Sequence, residues 1–366
     1  FYTSIYGLRP GGYLDFHNNN LLVLSSRGVL GYSDNISSNL NLKQIKNNIN
    51  DFIGLKQFEK NEGGKNYNFA IRDLYIDKNK IYISYTDEIN ENCWNTSVIY
   101  GDMNYEHITF KKLFFNNKCI YSDINHELNV DGEFNNGSSG GRIQNFDEDH
   151  ILLSVGCYLS RYLAQEVNNI NGKIIKINIH NYSYEIISLG HRNPQGLFYD
   201  KENNIILESE HGPMGGDEIN LIDVKMVNKN KPLNYGWAIA SDGEHYGGKI
   251  KKNDEKYKKY PLYKSHTEHG FIEPLKSFVP SIGISEIRKI KNKKYVVASL
   301  GYNRPGDKSL YFFELDDENK IINLEQIQVS ERIRDLNIYD NKLYLLLEGP
   351  PNSFKWSPTI GIISLY

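Results

Sequence analysis

One hairpin pattern occurs six times along these 366 residues, and it constrains the fold more than any other feature. Each copy begins with alternating apolar and polar residues, passes through a turn rich in Asp, Asn and Lys, and ends in a strongly apolar run. Such runs on either side of turn residues that tolerate positive φ are typical of β-hairpins. The copies are GGYLDFHNNNLLVLS from Gly11, IRDLYIDKNKIYISYTD from Ile71, GGRIQNFDEDHILLSVG from Gly140, QGLFYDKENNIILESEHG from Gln195, ISEIRKIKNKKYVVASLG from Ile284 and IRDLNIYDNKLYLLLEG from Ile333.

The spacing of the hairpins predicts the architecture. They start about 50 to 70 residues apart, except for one longer gap with an insertion at about 225–275. This period suits four strands per repeat, so the sequence predicts an all-β, six-bladed β-propeller of four-stranded antiparallel blades, with residues 1–366 as a single domain. A β-sandwich is the alternative, but a sandwich would not return the same hairpin six times. No long amphipathic helix is evident, which argues against α/β folds.

Composition and charge exclude several classes of function. The chain is 39% hydrophobic and 24% charged, as in globular proteins, and its net charge of −3 comes from interspersed acidic and basic residues. No clustered basic surface for nucleic acid is evident. No apolar run is long enough to cross a bilayer. The sequence starts at Phe1 without a signal-peptide pattern, so we expect any export signal to have been removed or to lie outside this sequence.

Three cysteines are too few for a disulfide framework. Cys93 and Cys119 would pair if their loops meet, and otherwise each is an unpaired thiol. The state of Cys157 is left open.

The segment from Gly190 to Asn220 contains two unusual polar clusters. The first is His191-Arg192-Asn193-Pro194-Gln195, whose guanidinium and amides can bind the oxygens of a polar ligand. The second is Gly212-Pro213 followed by Gly215-Gly216-Asp217-Glu218, where carbonyls in a tight turn and adjacent carboxylates suit Ca²⁺. Taken alone, each cluster is also consistent with ordinary turn chemistry and solvated charges.

The order of several motifs extends this interpretation. GHRNPQGL, EHGPMGGDEINLI and NYGW (Asn234 to Trp237) follow one another, with a GGR hairpin upstream and PSIG and RIRDL downstream. In this arrangement the whole chain resembles the soluble glucose/sorbosone (aldose sugar) dehydrogenases that use pyrroloquinoline quinone (PQQ). The resemblance implies a quinone at the mouth of the propeller channel, held by Ca²⁺ and arginines.

The resemblance also implies roles for individual residues. Arg192, Asn193 and Gln195 would contact the quinone, and the carbonyls of Gly212 and Pro213 would bind its Ca²⁺. Arg332 and Arg334 match an arginine pair in the last blade that contacts the cofactor. Asp217 and Glu218 would stabilise the Ca²⁺ loop without binding the ion themselves. His191 and His211 lie in matched motifs, where a hydrogen bond to loop backbone is the expected role.

The catalytic positions depart from the family pattern. The family's general-base histidine, four residues before the arginine of GGR, is Ser138 here, and the aspartate that orients it is Cys157. Neither replacement performs the same chemistry well, because a serine does not accept a proton unaided near neutral pH. The family's lysine near the quinone is Gly301, and Arg304 lies three residues further on.

Three interpretations follow. In the first, the cofactor site persists and another residue, such as His126 or His245, is the base. In the second, a degenerate member of the family binds a sugar, glycan or protein at the channel mouth without turnover. In the third, Cys157 is a reactive thiol, which the lack of a visible partner base disfavours. We expect quinone and Ca²⁺ binding to be better preserved than oxidation of an aldose at its anomeric carbon.

The family resemblance also implies a periplasmic or extracellular location. The sequence leaves open which sugar binds, and it leaves open the oligomeric state.

Overall fold

The structure is a computed structural model that describes residues 11–26, 28–36, 40–54, 68–228, 231–246, 254–301, 307–348 and 359–365. Arg304 and parts of the predicted insertion, residues 229–230 and 247–253, lie outside these residues. The chain forms two compact units. The first comprises residues 1–119 and 331–366, and the second comprises residues 120–330.

The first unit contains three antiparallel sheets. They are β1 (Gly12–His17), β2 (Asn20–Ser25), β3 (Leu30–Ser33) and β4 (Lys43–Gln44); β6 (Ile71–Asp77), β7 (Lys80–Asn90), β8 (Cys93–Asp102) and β10 (Lys111–Phe114); and β25 (Arg332–Tyr339), β26 (Lys342–Glu348) and β27 (Thr359–Ser364). A short parallel pair, β5 (Lys46–Asn47) and β9 (His107–Ile108), and helix α1 (Asn50–Ile53) complete the described part of this unit.

The second unit also contains three sheets. They are β12 (Gly140–Asn145), β13 (His150–Val155), β14 (Lys173–Asn178), β15 (Tyr184–Leu189) and β19 (Leu233–Asn234); β16 (Pro194–Asp200), β17 (Ile205–Glu210), β18 (Asp217–Asp223) and β20 (Lys276–Phe278); and β21 (Ile284–Lys291), β22 (Lys294–Ser299), β23 (Ser309–Leu315) and β24 (Ile321–Gln328). The second unit also includes the short strand β11 (Ile120–Tyr121), helix α2 (Glu255–Lys259) and the 3₁₀ turns Asn136–Ser138, Arg161–Gln165, Val224–Met226 and Thr267–His269.

The six predicted hairpins are the first two strands of the six sheets, and the prediction of a six-bladed β-propeller is confirmed. Local chemistry explains the hairpins. In the last one, Asp340 and Asn341 both have positive φ, 46° and 55°, and they join Tyr339 to Lys342 in a two-residue turn. Residues with short polar side chains are favoured at such positions. Both described helices have five residues or fewer, and no helix in the described ranges is long and apolar enough to cross a membrane.

The hydrophobic core lies between adjacent blades. In the second unit, side chains from β13 and β14 pack against those from β17 and β18, and the latter strands also pack against β21 to β23. In the first unit, β1 and β2 pack against β26 in the same way. The second strand of each hairpin supplies fully buried aliphatic residues, as Leu21, Leu22 and Leu24 illustrate. Burial of these faces supplies the main driving force for blade association.

Carboxylates join the first strands of neighbouring blades. In the first unit, Asp335 accepts a hydrogen bond from the backbone N–H of Leu14 at 2.8 Å, and Asp15 accepts one from Ile76 at 2.6 Å. In the second unit, Glu286 accepts one from Leu197 at 3.3 Å. These side chains therefore satisfy backbone donors at an edge that has no neighbouring strand.

The structure resolves the alternatives for the cysteines. Cys93 and Cys119 form a disulfide within the first unit, with Cα atoms 5.3 Å apart. Cys157, in the second unit, is fully buried and is not in a disulfide.

Candidate functional site

The second unit brings most of the predicted site residues together. The β12–β13 hairpin positions residues 136–142 and Cys157, and the β16–β17 hairpin positions residues 191–195 and 210–213. Asn193 connects these segments, because its Nδ2 donates to the Gly137 carbonyl at 3.1 Å and its Oδ1 accepts from Gly140 N at 3.3 Å. Its Oδ1 also accepts from Gln195 Nε2 at 2.9 Å. The amide of Asn193 thus fixes the relative positions of the two loops.

Arg192 lies at the centre of this region. Its guanidinium is 5.4 Å from the ring centroid of Trp237 and 5.6 Å from that of Tyr246, so it contacts two aromatic rings. One terminal nitrogen, Nη1, donates to the His211 carbonyl at 2.9 Å. The Nε atom is buried and has no hydrogen-bond partner among the described residues. A positive group held by aromatic rings and left with an unpaired donor is suited to an anionic or strongly polar ligand.

The backbone segments that contain Ser138 and Cys157 lie side by side and are joined by hydrogen bonds. The N–H of Tyr158 donates to the Ser138 carbonyl at 2.8 Å, and the N–H of Cys157 donates to the Arg192 carbonyl at 2.9 Å. Both side chains are buried. Ser138 and Cys157 therefore both lie beside the segment that contains Arg192.

The environment of Cys157 is apolar. Its neighbours include Ala164, Trp237, Tyr260 and Leu262. Burial raises the pKa of the Cys157 thiol, although the Arg192 guanidinium and the indole N–H of Trp237 oppose this effect. The side chain is therefore a neutral thiol at physiological pH, which argues against a reactive thiolate and against a substitute for an orienting carboxylate.

The turn at Gly212 is closely packed. A Cβ atom on Gly212 would lie 1.4 Å from the Gly216 carbonyl oxygen, so no other residue fits there without rearrangement. Gly216 N donates to the Pro213 carbonyl at 3.2 Å. Met214 and Glu244 exchange two backbone hydrogen bonds of 3.0 and 2.7 Å, which attach this turn to the segment that follows Ser241. The carbonyls of Gly212 and Pro213 are thereby held in a fixed turn.

The Asp217 carboxylate stabilises this turn through hydrogen bonds to backbone N–H groups. Its Oδ1 accepts from Gly212 N at 3.3 Å, and its Oδ2 accepts from Ile282 N at 3.1 Å and Ile284 N at 3.0 Å. His211 adds a second connection, since its Nε2 donates to the Ile284 carbonyl at 2.6 Å. Asp217 thus connects the Gly212 turn to the next blade.

Glu218 belongs to a group of buried carboxylates below the loops. It pairs across the strands with Glu210, whose Oε2 accepts from Arg192 N at 2.5 Å and from Asn193 N at 3.2 Å. Burial and the nearby Glu210 carboxylate raise the pKa of Glu218 well above its ordinary value. Glu208, on the same face of β17, is fully buried, and burial together with Glu210 raises its pKa in the same direction.

Arg332 and Arg334 lie in the first unit, where both bind Glu348. Arg332 Nε is 3.0 Å from Glu348 Oε2, and Arg334 Nε is 2.5 Å from Oε1. Burial by itself would raise the pKa of Glu348, but the two guanidinium groups hold it below its ordinary value. The pair of arginines is thus fixed by a single carboxylate that bridges them.

The alternative base candidates have other roles in the structure. His126 stacks on Tyr121 at a centroid distance of 3.5 Å, and its Nδ1 accepts from Leu128 N. His245 Nε2 donates to the Tyr260 carbonyl at 2.7 Å. These contacts fix the two imidazole rings against residues close to them in the structure.

Gly301 has a backbone that suits glycine. Its φ is +63°, and a Cβ there would lie 2.5 Å from Lys308 Cγ and 2.7 Å from Asp307 Oδ1. A lysine at this position would therefore require local rearrangement.

Comparison with known proteins identifies the family. The model of the Glucose / Sorbosone dehydrogenase family matches residues 16–355. The chain belongs to this family. It is 27% identical over 189 residues to the aldose sugar dehydrogenase YliI of Escherichia coli K12, covering 48% of this chain and 46% of that protein. The chain spans less than half the length of the curated relatives it matches.

Solved structures support the glucose/sorbosone dehydrogenase fold. The apo-form of the soluble aldose sugar dehydrogenase from Escherichia coli superposes with a TM-score of 0.67 at 21% identity, covering 94% of both chains. The PQQ-bound form of an aldose sugar dehydrogenase from Streptomyces coelicolor gives a TM-score of 0.64 at 17% identity, covering 98% of this chain and 94% of that one. The resemblance inferred from the motifs is confirmed, and the chain is a sugar dehydrogenase-like propeller.

Sequence reasoning missed several residues of this region. Tyr246 lies in the predicted insertion, and only the structure shows that it contacts Arg192. Trp237 was visible as the end of NYGW, although its contact with the guanidinium was not. The sequence does indicate Glu208 and Glu210, because two carboxylates at positions i and i+2 of an apolar strand share one buried face.

Proposed function

We propose that this chain is a quinone-dependent sugar dehydrogenase-like protein that binds PQQ and Ca²⁺ more securely than it turns over an aldose. The proposal rests mainly on Arg192, whose guanidinium is enclosed by Trp237 and Tyr246 and retains a buried, unpaired Nε donor. A buried donor without a partner is costly. A polar ligand that accepts from it would remove that cost.

The residues present fit the cofactor. Arg192, Asn193 and Gln195, all in the second unit, would hold the quinone. Ca²⁺ prefers hard oxygen ligands, which the carbonyls of Gly212 and Pro213 supply. Asp217 would support them through its bonds to Gly212, Ile282 and Ile284. When bound, PQQ supplies the acceptor for the two electrons removed from the sugar's anomeric carbon.

Proton removal is the step at which this chain departs from the family. A base must take the proton of the anomeric hydroxyl, and Ser138 does not accept it unaided near neutral pH. Cys157 is a neutral thiol in an apolar cluster, so it provides no negative charge to orient a base. Loss of a general base typically slows such a reaction by about 100- to 10,000-fold.

A second function is favoured by the same two residues. Ser138 and Cys157 are both buried, and Cys157 packs against apolar neighbours as an inert core residue would. This arrangement suits a non-catalytic propeller that binds a sugar, a glycan or a protein at the channel mouth. The two functions differ in whether PQQ binds.

Reconstitution separates these proposals. The protein is titrated with PQQ in the presence of Ca²⁺ and then assayed with a redox dye over a panel of aldoses. Tight PQQ binding with slow turnover supports the main proposal. If PQQ does not bind, the non-catalytic binding function is supported instead. Arg192→Leu should lose at least about 10-fold in PQQ affinity, the effect of one charge-assisted hydrogen bond. Arg288→Leu is the control, because that guanidinium is also largely buried but is already paired with Glu286.

We also propose a location outside the cytoplasm, in the periplasm or the extracellular space. The Cys93–Cys119 disulfide supports this, since such bonds persist mainly in oxidising compartments. The assignment of residues 1–366 to a single domain, with an insertion at about 225–275, is part of the same proposal.

A further inference from the structure

Three side chains below the loops form a buried group of nitrogen and carboxylate donors. His191, Glu208 and Glu210 each offer a ligand atom, and these atoms lie within 4.8 Å of one another. His191 Nδ1 is 3.7 Å from Glu208 Oε2 and 3.9 Å from Glu210 Oε1. The side chains of His191 and Glu208 are completely buried, and that of Glu210 is 3% exposed.

Several atoms of this group have no hydrogen-bond partner. They are His191 Nδ1, Glu208 Oε1 and the side-chain oxygen of the adjacent Asn220, all buried. Within the described ranges, Glu208 has no lysine or arginine as an ion-pair partner. Leaving buried polar groups unpaired is unfavourable, because they have lost water without gaining another partner. The group therefore has unused capacity to bind a cation.

The histidine ring is oriented as a metal ligand would be. Its Nε2 is 2.8 Å from Ser188 Oγ, and the ring stacks on Tyr235 at a centroid distance of 4.9 Å. If the serine oxygen accepts from Nε2–H, the neutral ring presents the lone pair of Nδ1 to the two carboxylates. A hydrogen bond on the far nitrogen is the usual way in which proteins fix the ring and tautomer of a metal-binding histidine.

We propose that His191, Glu208 and Glu210 bind a divalent transition-metal ion of the Zn²⁺ type. An ion placed about 2.0–2.2 Å from each ligand atom fits between atoms separated by 3.7 and 3.9 Å. Asn220 would supply a fourth ligand, because rotation of its amide by half a turn exchanges Oδ1 with the Nδ2 that now lies 3.0 Å from Glu208 Oε2. The imidazole nitrogen favours Zn²⁺ over Ca²⁺.

This site is separate from the Ca²⁺ proposed at the Gly212 and Pro213 carbonyls, and it does not depend on quinone binding. Its role would be structural. Glu210 accepts from the N–H groups of Arg192 and Asn193 through Oε2, while Oε1 faces His191. One carboxylate would thus join the ion to the backbone that positions Arg192.

The test uses the whole chain, stripped with a chelator and kept in excess Ca²⁺ throughout so that carbonyl sites play no part. Zn²⁺ is titrated calorimetrically, and bound zinc is counted after gel filtration. We expect one zinc per chain and a raised melting temperature. Outer-shell partners of metal ligands typically contribute about 10–100-fold in affinity, so Ser188→Ala should weaken binding by that factor and Glu208→Gln by more. His266→Gln should bind normally, since this buried histidine contacts Glu273 outside the group.

Absence of stoichiometric zinc in the wild-type protein would overturn the proposal, as would equal affinity in Glu208→Gln. A variant that fails to fold does not prevent the test, because anomalous diffraction at the zinc edge locates the ion in the wild-type protein. A peak between His191, Glu208 and Glu210 supports the site. A peak only elsewhere contradicts it.

Discussion

Arg142 and Glu286 form a buried ion pair between the first strands of two blades in the second unit. The Nη1–Oε2 distance is 2.8 Å, and the side chains are 4% and 0% exposed. Arg142 also donates from Nε to the Gln195 carbonyl at 2.6 Å, so it contacts the blade that lies between them. The pair therefore connects three consecutive blades through the arginine of the GGR motif.

Removing the carboxylate should be strongly destabilising. Glu286→Leu would leave the Arg142 guanidinium buried without its counter-charge and would also remove the partner of Arg288. Breaking a buried ion pair in this way costs about 3–5 kcal/mol. Urea denaturation should show a loss of that size in the free energy of unfolding. Glu202→Gln is the control, because Glu202 is 80% exposed in its pair with Lys289 and should contribute less than about 1 kcal/mol. Equal effects of the two substitutions would refute the structural role of the pair.

The proposed function predicts that a histidine at position 138 and an aspartate at position 157 together raise turnover. Ser138→His with Cys157→Asp would supply a base and an orienting carboxylate beside Arg192, and a positioned base is worth about 100- to 10,000-fold. Dye-linked turnover of the PQQ-loaded double variant should rise accordingly over the wild-type rate. Cys157→Asp alone should give no such gain and should destabilise the fold, because it places a carboxylate among Ala164, Trp237 and Leu262. If the single and double variants have the same turnover, the assignment of these positions is wrong.

Because of Glu348, the free energy of unfolding should decrease as the pH becomes acidic. Its folded-state pKa is held below the unfolded value of about 4.3, so its contribution is present above that pH and is lost as the pH falls through the folded pKa. Glu348→Gln should cost about 2 kcal/mol at pH 7 and flatten the loss of stability below about pH 5. Unfolding measured from pH 3 to 8 checks this prediction. Glu331→Gln is the control, because this exposed residue should change the free energy of unfolding at pH 7 by less than about 0.5 kcal/mol.

The Cys93–Cys119 disulfide should stabilise the first unit. It closes a loop with a sequence separation of 26, for which the chain-entropy account gives about 3.5 kcal/mol. Cys93→Ala with Cys119→Ala should lower the free energy of unfolding by that amount. A reducing agent should have the same effect on the wild type and none on the double variant. A wild-type protein that is insensitive to reduction would show that the bond contributes little.

The hairpins could be predicted because each is specified locally. Period-two runs and turn residues such as Asp340 and Asn341 determine where the chain reverses, and six copies in series leave few alternatives to a propeller. The site segments could be predicted for the same reason. Gly212 needs its glycine for a close approach within five residues, and Arg192 and Asn193 lie next to a rigid proline.

Long-range contacts could not be predicted in this way. Arg192 directly precedes the fourth hairpin, whereas Tyr246 lies in the insertion, which has no repeat pattern, so nothing local indicates that they meet. The buried state of Glu208 depends on Asn220 and His191, which reach it from a neighbouring strand and a loop. The pairing of Cys93 with Cys119 likewise depends on where two loops end. In each case the decisive partner is supplied by tertiary packing.

The carboxylates on the first strands have a consequence for the behaviour of the chain in solution. A strand with an unpaired edge is a template onto which another chain can add, and every blade has such an edge at its first strand. Asp15, Asp335 and Glu286 already occupy donors along three of these edges. Replacing these carboxylates by apolar side chains would leave the backbone N–H groups of the first strands without partners. Another chain could then pair with those strands, so the acidic residues oppose self-association as well as holding the blades together.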